Sequence, residues 1–308
     1  MKRALSLIIA ALIVIAVCTA CGTDTAVRGE LGITVYTTVF PLYDFARNIG
    51  GGLVEVIEFI PSGDDPHTWE PSAADIEKLE EADVFIYSGL GMEHWVEAVL
   101  EVVTNKNLLL VNASEGIVPL DEEGYANEDF HHGDHAGHGH EHDPHVWLSV
   151  KNARIQVKNI TNAFIETDPD NLFEYKANYD AYAGELADLD EKFEDMIADS
   201  MTKDIVVTHK AFGYLCHEYG LNQVAAGGFS FDEEPSPADV AAAINFIRKN
   251  NIKAVFYEAS EDSKVAQVIS SETGAQAISL SAMERAAEED SYIELMAKNL
   301  NELRFVLR

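Results

Sequence analysis

Between Leu172 and Met196 the apolar residues fall at Leu172, Tyr175, Tyr179, Tyr182, Leu186, Leu189, Phe193 and Met196, spaced 3, 4, 3, 4, 3, 4 and 3 apart, with charged and polar residues in the gaps. That rhythm lines one stripe of an α-helix and constrains the fold more than any other feature. Pro169 suits the first turn and Asp168 the N-cap, so a helix over residues 169–200 is expected, roughly 48 Å long at 1.5 Å per residue. A helix longer than a small domain is wide reads as a strut between two bodies. The alternatives for such a stripe are a surface helix within one domain or the seam of a coiled-coil dimer.

The flanks supply two bodies. Before the stripe, strand-like runs at Ile33 to Thr38, Val54 to Ile60, Val84 to Tyr87 and Leu108 to Val111 alternate with helical segments at Leu42 to Ile49, Ala73 to Glu81 and Met92 to Val103. After it, strands are expected at Ile205 to Thr208, near Gln223 to Ala225, at Ala254 to Tyr257 and at Ala277 to Leu280, with helices at Pro237 to Asn250, Ser263 to Thr273 and Tyr292 to Leu307. Four strands separated by helices imply a parallel sheet. The expected fold is therefore α/β: two lobes, residues 33–150 and 201–308, each a parallel four-stranded sheet flanked by helices. A helical linker, 151–200, contains the rigid strut that bridges them.

Three histidine settings point to a transition metal. From His131 to His145 the chain reads HHGDHAGHGHEHDPH, in which seven of fifteen residues are histidine. Neutral imidazole suits zinc, copper and nickel better than calcium or magnesium. The same composition also fits a solvated low-complexity loop over residues 125–142. Two further histidines weigh against that bland reading. His67 lies in PSGDDPHTWEP, Pro61 to Pro71, where the prolines stiffen the loop, and Asp143-Pro144-His145 repeats Asp65-Pro66-His67 with a tryptophan two residues after each histidine. His209 directly follows the strand-like Asp204 to Thr208, and the carboxyl ends of strands are where α/β sheets place ligand-binding groups. A satisfied core or helix-capping histidine is the alternative there.

The amino terminus addresses the chain outward. Met1, Lys2 and Arg3 precede fourteen residues, Ala4 to Val17, of which only Ser6 is polar, and Cys18-Thr19-Ala20-Cys21-Gly22 follows. Residues 1–20 read as a secretory signal peptide, too short for a comfortable membrane span. The small residues before Cys21 resemble a bacterial lipoprotein processing site, so Cys21 is the expected lipidated residue and 21–32 a tether. Cys216 alone remains in the folded part and can form no intramolecular disulfide. A formal charge of −32, from 53 acidic and 21 basic side chains, argues against nucleic acid as a partner.

These residues resemble the cluster 9 metal-binding solute-binding lipoproteins of zinc and manganese ABC importers, within them the zinc branch. The resemblance covers nearly the whole mature chain and rests on TTVFPLYD at Thr37 to Asp44, PSGDDPHTWEP at Pro61 to Pro71, DPHVW at Asp143 to Trp147, THKAFGYL at Thr208 to Leu215, and Glu234-Pro235-Ser236-Pro237. It implies an ion held in the cleft between the lobes by His67, His145 and His209. Relatives add a carboxylate from the loop after the last strand. The position that aligns with the aspartate of manganese-type members is Ser281, a poor ligand, so Glu284 is the expected fourth donor, with water as the fallback. Three imidazoles and a carboxylate satisfy tetrahedral Zn²⁺, and imidazole at the third position favours zinc over manganese. His131, His132, His135, His138, His140 and His142 form what the resemblance implies is an auxiliary metal loop.

The implied function is extracytoplasmic zinc binding and delivery to a membrane ABC permease, by a monomer anchored to the cell membrane through lipid. A manganese carrier and a surface adhesin are the alternatives within the family. A secreted three-histidine zinc hydrolase is the alternative from another class; the chain carries no His-Glu-Xaa-Xaa-His sequence and no Gly-rich Lys-Ser/Thr loop, and a closed four-ligand site leaves no position for activating water, so no enzymatic role is expected. With histidine pKa values near 6.5, zinc affinity is expected to fall by up to about three decades per pH unit below roughly pH 6. Removing residues 125–142 should leave one tight zinc site and abolish only weaker ones, which chelator-competition titration of the shortened protein checks; loss of the tightest site would overturn the assignment of His67, His145 and His209.

Overall fold

Alternation along the central strands of two parallel sheets decides where the cores lie. The computed structural model describes residues 32–121, 142–230, 235–258, 263–285 and 290–308. In the first half, β1 (Ile33–Thr37), β2 (Val54–Glu58), β3 (Val84–Tyr87) and β4 (Leu109–Asn112) pair in parallel in the order β2-β1-β3-β4. In the second, β5 (Asp204–Val207), β6 (Asn222–Ala225), β7 (Ala254–Tyr257) and β8 (Gln276–Ser279) take the order β6-β5-β7-β8. Each sheet reverses its winding at its first strand, so each has a crevice at the carboxyl ends of its central strands.

The helices are α1 (Phe40–Gly50), α2 (Ala73–Leu79), α3 (Val96–Val102), α4 (Val150–Thr167), α5 (Leu172–Ala198), α6 (Gly213–Tyr219), α7 (Pro237–Asn250), α8 (Lys264–Thr273) and α9 (Tyr292–Leu307). Short polar residues set several starts. Ser72 and Asp75 form a reciprocal capping box on α2, while Ser149 and Ser236 accept the amides of Asn152 and Asp239 at the starts of α4 and α7.

Because successive strand residues face opposite sides, Val35, Val84, Ile86, Ile205, Val207, Ala254 and Phe256 point into one core, together with residues of α1, α4, α5, α6 and α9. The intervening Tyr36 and Phe85 face an outer cluster with α2 and α3, and Val206 and Val255 face another with α7 and α8. The inner faces of both sheets thus share one continuous hydrophobic core, and Gly32–Arg308 packs as a single unit.

The long helix α5 supplies much of that core, and it is shorter than the expected 169–200. Pro169–Asn171 forms a separate 3-10 turn, Asn171 (φ −100°, ψ 17°) interrupts the path, and the regular helix spans 27 residues, roughly 40 Å. Asp168 does not cap it; its carboxylate accepts from Asn171 Nδ2 at 2.7 Å and Tyr175 Oη at 2.8 Å. The apolar stripe is buried as the spacing predicts, with Tyr175, Tyr182, Leu186, Leu189, Phe193 and Met196 all inside. Polar bonds tie α5 to both halves: Tyr182 donates to Asp44 of α1 at 2.8 Å, Asn178 donates to the Ile49 carbonyl at 2.9 Å, and Asp190 accepts from Tyr219 of α6 at 2.8 Å.

Phe193 is fully buried and stacks on Tyr219 with ring centroids 5.0 Å apart and planes at 15°. Phe193→Ala should destabilise the fold by about 3–5 kcal/mol, read as a lowered midpoint in chemical denaturation; a loss below about 1 kcal/mol would mean that α5 is not a shared core element.

Candidate metal centre

Two of the four donors sit on the same local device. In the loop after β2, Asp65 Oδ1 accepts the amide of His67 at 2.8 Å, and in the segment before α4, Asp143 Oδ1 accepts the amide of His145 at 2.9 Å. Each aspartate closes a turn over the proline between it and the histidine, which is the physical content of the repeated Asp-Pro-His. The second interactions differ. Asp143 Oδ1 also lies 2.8 Å from His145 Nδ1, which leaves Nε2 to face the site, whereas Asp65 Oδ2 accepts from Ser230 of the other half at 2.8 Å.

His209 stands two residues past the end of β5, where the Thr208 amide donates to the Phe256 carbonyl at 2.9 Å and the Lys210 amide to the Gly228 carbonyl at 2.8 Å. Its Nε2 also contacts the Phe229 carbonyl oxygen. Glu284 stands in the loop after β8, delivered by a turn at Met283, whose φ of 61° lies in the left-handed region unfavourable for a residue with a side chain. Ser281 has a different job: its hydroxyl accepts the Met283 amide at 3.1 Å, and its backbone N–H and C=O are held by Asn299 of α9 at 2.9 and 2.7 Å.

These four side chains converge. Glu284 Oε1 lies 3.2 Å from His67 Nε2, 2.6 Å from His145 Nε2 and 3.5 Å from His209 Nε2, and one donor atom from each of the four lies within 4.8 Å of the others. All four residues are buried, the most exposed, Glu284, at 7%. The edges of a tetrahedron with metal bonds of 2.0–2.1 Å are roughly 3.3 Å, and the three distances from Glu284 Oε1 straddle that value. Glu284 Oε2 is buried and has no hydrogen-bond partner among the described residues, an expensive state for a carboxylate oxygen unless a cation shares the site. The donor set and its spacing fit a borderline divalent ion.

The groups titrate unequally. Burial opposes charge on His145, yet hydrogen bonds to the Asp143 and Glu284 carboxylates outweigh it and push the imidazole up to about 9. Burial pulls His209 down to about 4 against the attraction of Glu284, with the neighbouring His145 and His67 adding to the depression. Burial would raise Glu284, but the charges of His67 and His209 and the bonds from His145 and His67 hold it well below the usual carboxylate range. The uniform titration expected from unperturbed histidines therefore gives way to a split between His145 and His209.

The structure thus brings His67, His145, His209 and Glu284 together. His131, His132, His135, His138 and His140, like Cys21, lie outside the described residues. His142 is described; it forms an antiparallel bridge with Asp121 and is not among the four clustered donors. Sequence reasoning missed the tie between Asp65 and Ser230 and the role of Asp143 beside the His145 ring; the repeated aspartate was the available signal for the second.

The family model described as ZnuA, zinc-uptake complex component A, periplasmic, matches residues 35–305. The chain belongs to the ZnuA family. Within it, the chain is 36% identical over 307 residues to the high-affinity zinc uptake system protein ZnuA of Bacillus subtilis (strain 168), covering 95% of this chain and 96% of that one. It is 35% identical over 294 residues to the zinc-binding lipoprotein AdcA of Streptococcus pneumoniae (strain ATCC BAA-255 / R6), of which it spans only 57%. The crystal structure of the Zn(II)-bound ZnuA-like domain of S. pneumoniae AdcA superposes with a TM-score of 0.76 at 31% identity, over 90% of this chain and 99% of that domain. Membership of the ZnuA family places the chain in the zinc branch that the sequence motifs indicate.

Groups that orient a metal-bound histidine through its second nitrogen typically contribute 10–100-fold to affinity. Asp143→Asn, which keeps the size but removes the charge, should weaken metal binding by about that factor in competitive chelator titration while the fold survives; an unchanged affinity would show that Asp143 does not orient His145.

Proposed function

We propose that this ZnuA-family protein is an extracytoplasmic zinc carrier that captures Zn²⁺ and hands it to the membrane permease of an ABC importer. The observation that carries the reading is the convergence of four buried donors, three imidazoles and the Glu284 carboxylate, with donor atoms all within 4.8 Å of one another, a set that suits tetrahedral zinc. His67, His145 and His209 would bind the ion through Nε2 and Glu284 through its carboxylate. Three nitrogen donors favour zinc over manganese, whose preference is for oxygen.

The same geometry supports a reading of binding rather than catalysis. Four protein donors close a tetrahedral ion, whereas a zinc hydrolase keeps a position for water. The ion is cargo, and burial of the site means that loading and release require the two halves to part. The relatives' names support uptake as the purpose: one is a high-affinity zinc uptake protein and another a zinc-binding lipoprotein. We assign residues 1–20 as the signal peptide, 21–32 as the tether and Cys21 as the lipidated residue that anchors a monomer outside the cytoplasm, with lobes at 33–150 and 201–308. Among the described residues no helix is long and apolar enough to cross a membrane.

The proton balance tests this reading. With its pKa raised to about 9, His145 of the metal-free protein carries a proton at pH 7 that zinc must displace, so affinity rises with pH up to about 9. His209, depressed to about 4, is already neutral and adds no pH dependence until the pH falls near that value. Anaerobic titration with Zn²⁺ and Mn²⁺, run calorimetrically in buffers of different ionisation enthalpy, should give one tight zinc site, weaker manganese binding and release of about one proton or more per zinc at pH 7. Tighter manganese binding would overturn the zinc assignment, and zinc binding without proton release would remove His145 from the site.

A further inference from the structure

Two tryptophans stand at the same offset from two metal-site histidines, but the fold uses them differently. Trp69, two residues after His67, packs edge-on to Phe59 at 5.7 Å and to Trp95 at 5.3 Å, within the outer cluster of the first sheet. Trp147, two residues after His145, is fully buried in the shared core, and its indole Nε1 donates to the carbonyl of Ala282 at 2.7 Å. Ala282 precedes Glu284 by two residues. One side chain therefore connects the segment that carries His145 to the loop that carries Glu284, across 135 residues of sequence.

That loop is held at every residue before the carboxylate. Asn299 grips both backbone groups of Ser281, and the Ala282 amide donates to the Glu258 carboxylate at the end of β7. Met283 then turns through the left-handed region at φ 61° with its side chain fully buried. A conformation of this kind persists only where its surroundings over-determine it, and such residues concentrate at ligand clamps. Trp147 is anchored in turn, because Tyr292 of α9 donates its hydroxyl to the Trp147 carbonyl at 2.6 Å while its ring packs edge-on to Phe45 at 4.8 Å.

We propose that Trp147 is a positioning residue for the metal site: its indole N–H fixes the Ala282 carbonyl, so that the turn at Met283 delivers the Glu284 carboxylate to the three imidazoles. The inference rests on the reading of Glu284 as a metal donor. Trp147 touches no ion itself. Its ring also packs edge-on to the His145 imidazole at 5.7 Å, a contact that phenylalanine can keep; the contribution of the indole N–H passes through Glu284 and for that reason disappears when Glu284 is gone.

Trp147→Phe keeps an aromatic ring and removes the donor. Zinc affinity should fall about tenfold in the otherwise unchanged protein and by less than about twofold in a Glu284→Ala background, a non-additivity that marks two residues acting as one unit. The visible spectrum of the Co²⁺-loaded single variant should also shift toward that of Glu284→Ala. Tyr292→Phe, which frees the Trp147 carbonyl but leaves the indole in place, should show the same dependence on Glu284 and serves as the reading if Trp147→Phe does not fold. Equal fold-losses in the two backgrounds would overturn the positioning role while leaving the site intact. An unchanged affinity in Glu284→Ala alone would overturn Glu284 as a donor, and the inference with it.

Discussion

A carboxylate buried among three imidazoles is the interaction around which the rest of this molecule is arranged. Taking the charge of Glu284 out of water is costly unless positive charge and hydrogen bonds replace what water supplied. The fold meets that requirement by bringing to the loop after β8 imidazoles from three separate places in the chain: the loop after β2, the segment before α4 and the segment just past β5. None of these places is stable as a site alone. Each depends on the two sheets being held at a fixed separation, so the core beneath the site and the chemistry within it are one problem.

That separation is set by the core common to both sheets. Helix α5 does more than span a gap, since its apolar stripe is buried from Tyr182 to Met196 and Tyr182, Asn178 and Asp190 secure it to α1 and α6. A core of this continuity makes large independent motion of the halves expensive, because interiors this closely packed do not deform smoothly. Among the described residues, hydrogen bonds that join the two halves around the four donors include Asp65 with Ser230, Trp147 with Ala282, and the Arg285 guanidinium with the Gly63 carbonyl.

Much of this was legible in advance, for identifiable reasons. Strands came through where β-branched runs lie between turn residues, as at Val84 to Tyr87 and Ala254 to Tyr257, whose observed bounds match the sequence reading. Helix ends were legible where a serine and proline mark them, as at Ser236 and Pro237, and less so at Asp168, where a tyrosine hydroxyl seven residues on competes for the carboxylate that would have capped α5. His67 and His145 stood out because Asp-Pro-His encodes its own turn geometry within three residues. Glu284 had no such local code. Its neighbour Met283 adopts a left-handed conformation that nothing in Ser-Ala-Met-Glu announces, since glycine or asparagine is the usual signature there.

The sequence by itself determined the local and periodic features: the amphipathic stripe of α5, the strand-helix alternation of two parallel sheets, the two aspartate-closed turns that present imidazoles, and the strongly acidic net charge. These depend on residues within a few positions of one another, and short-range sterics and hydrogen bonding write them directly into the chain. Only the tertiary structure decided that both sheets share one core, that Ser281 braces its loop while Glu284 faces the imidazoles, that His145 and His209 are pushed to opposite sides of the ordinary histidine pKa, and that Trp147 and Trp69 serve different ends despite identical spacing. Each of those depends on contacts between segments far apart in sequence. Burial and charge at such contacts are properties of the assembled neighbourhood rather than of any residue within it.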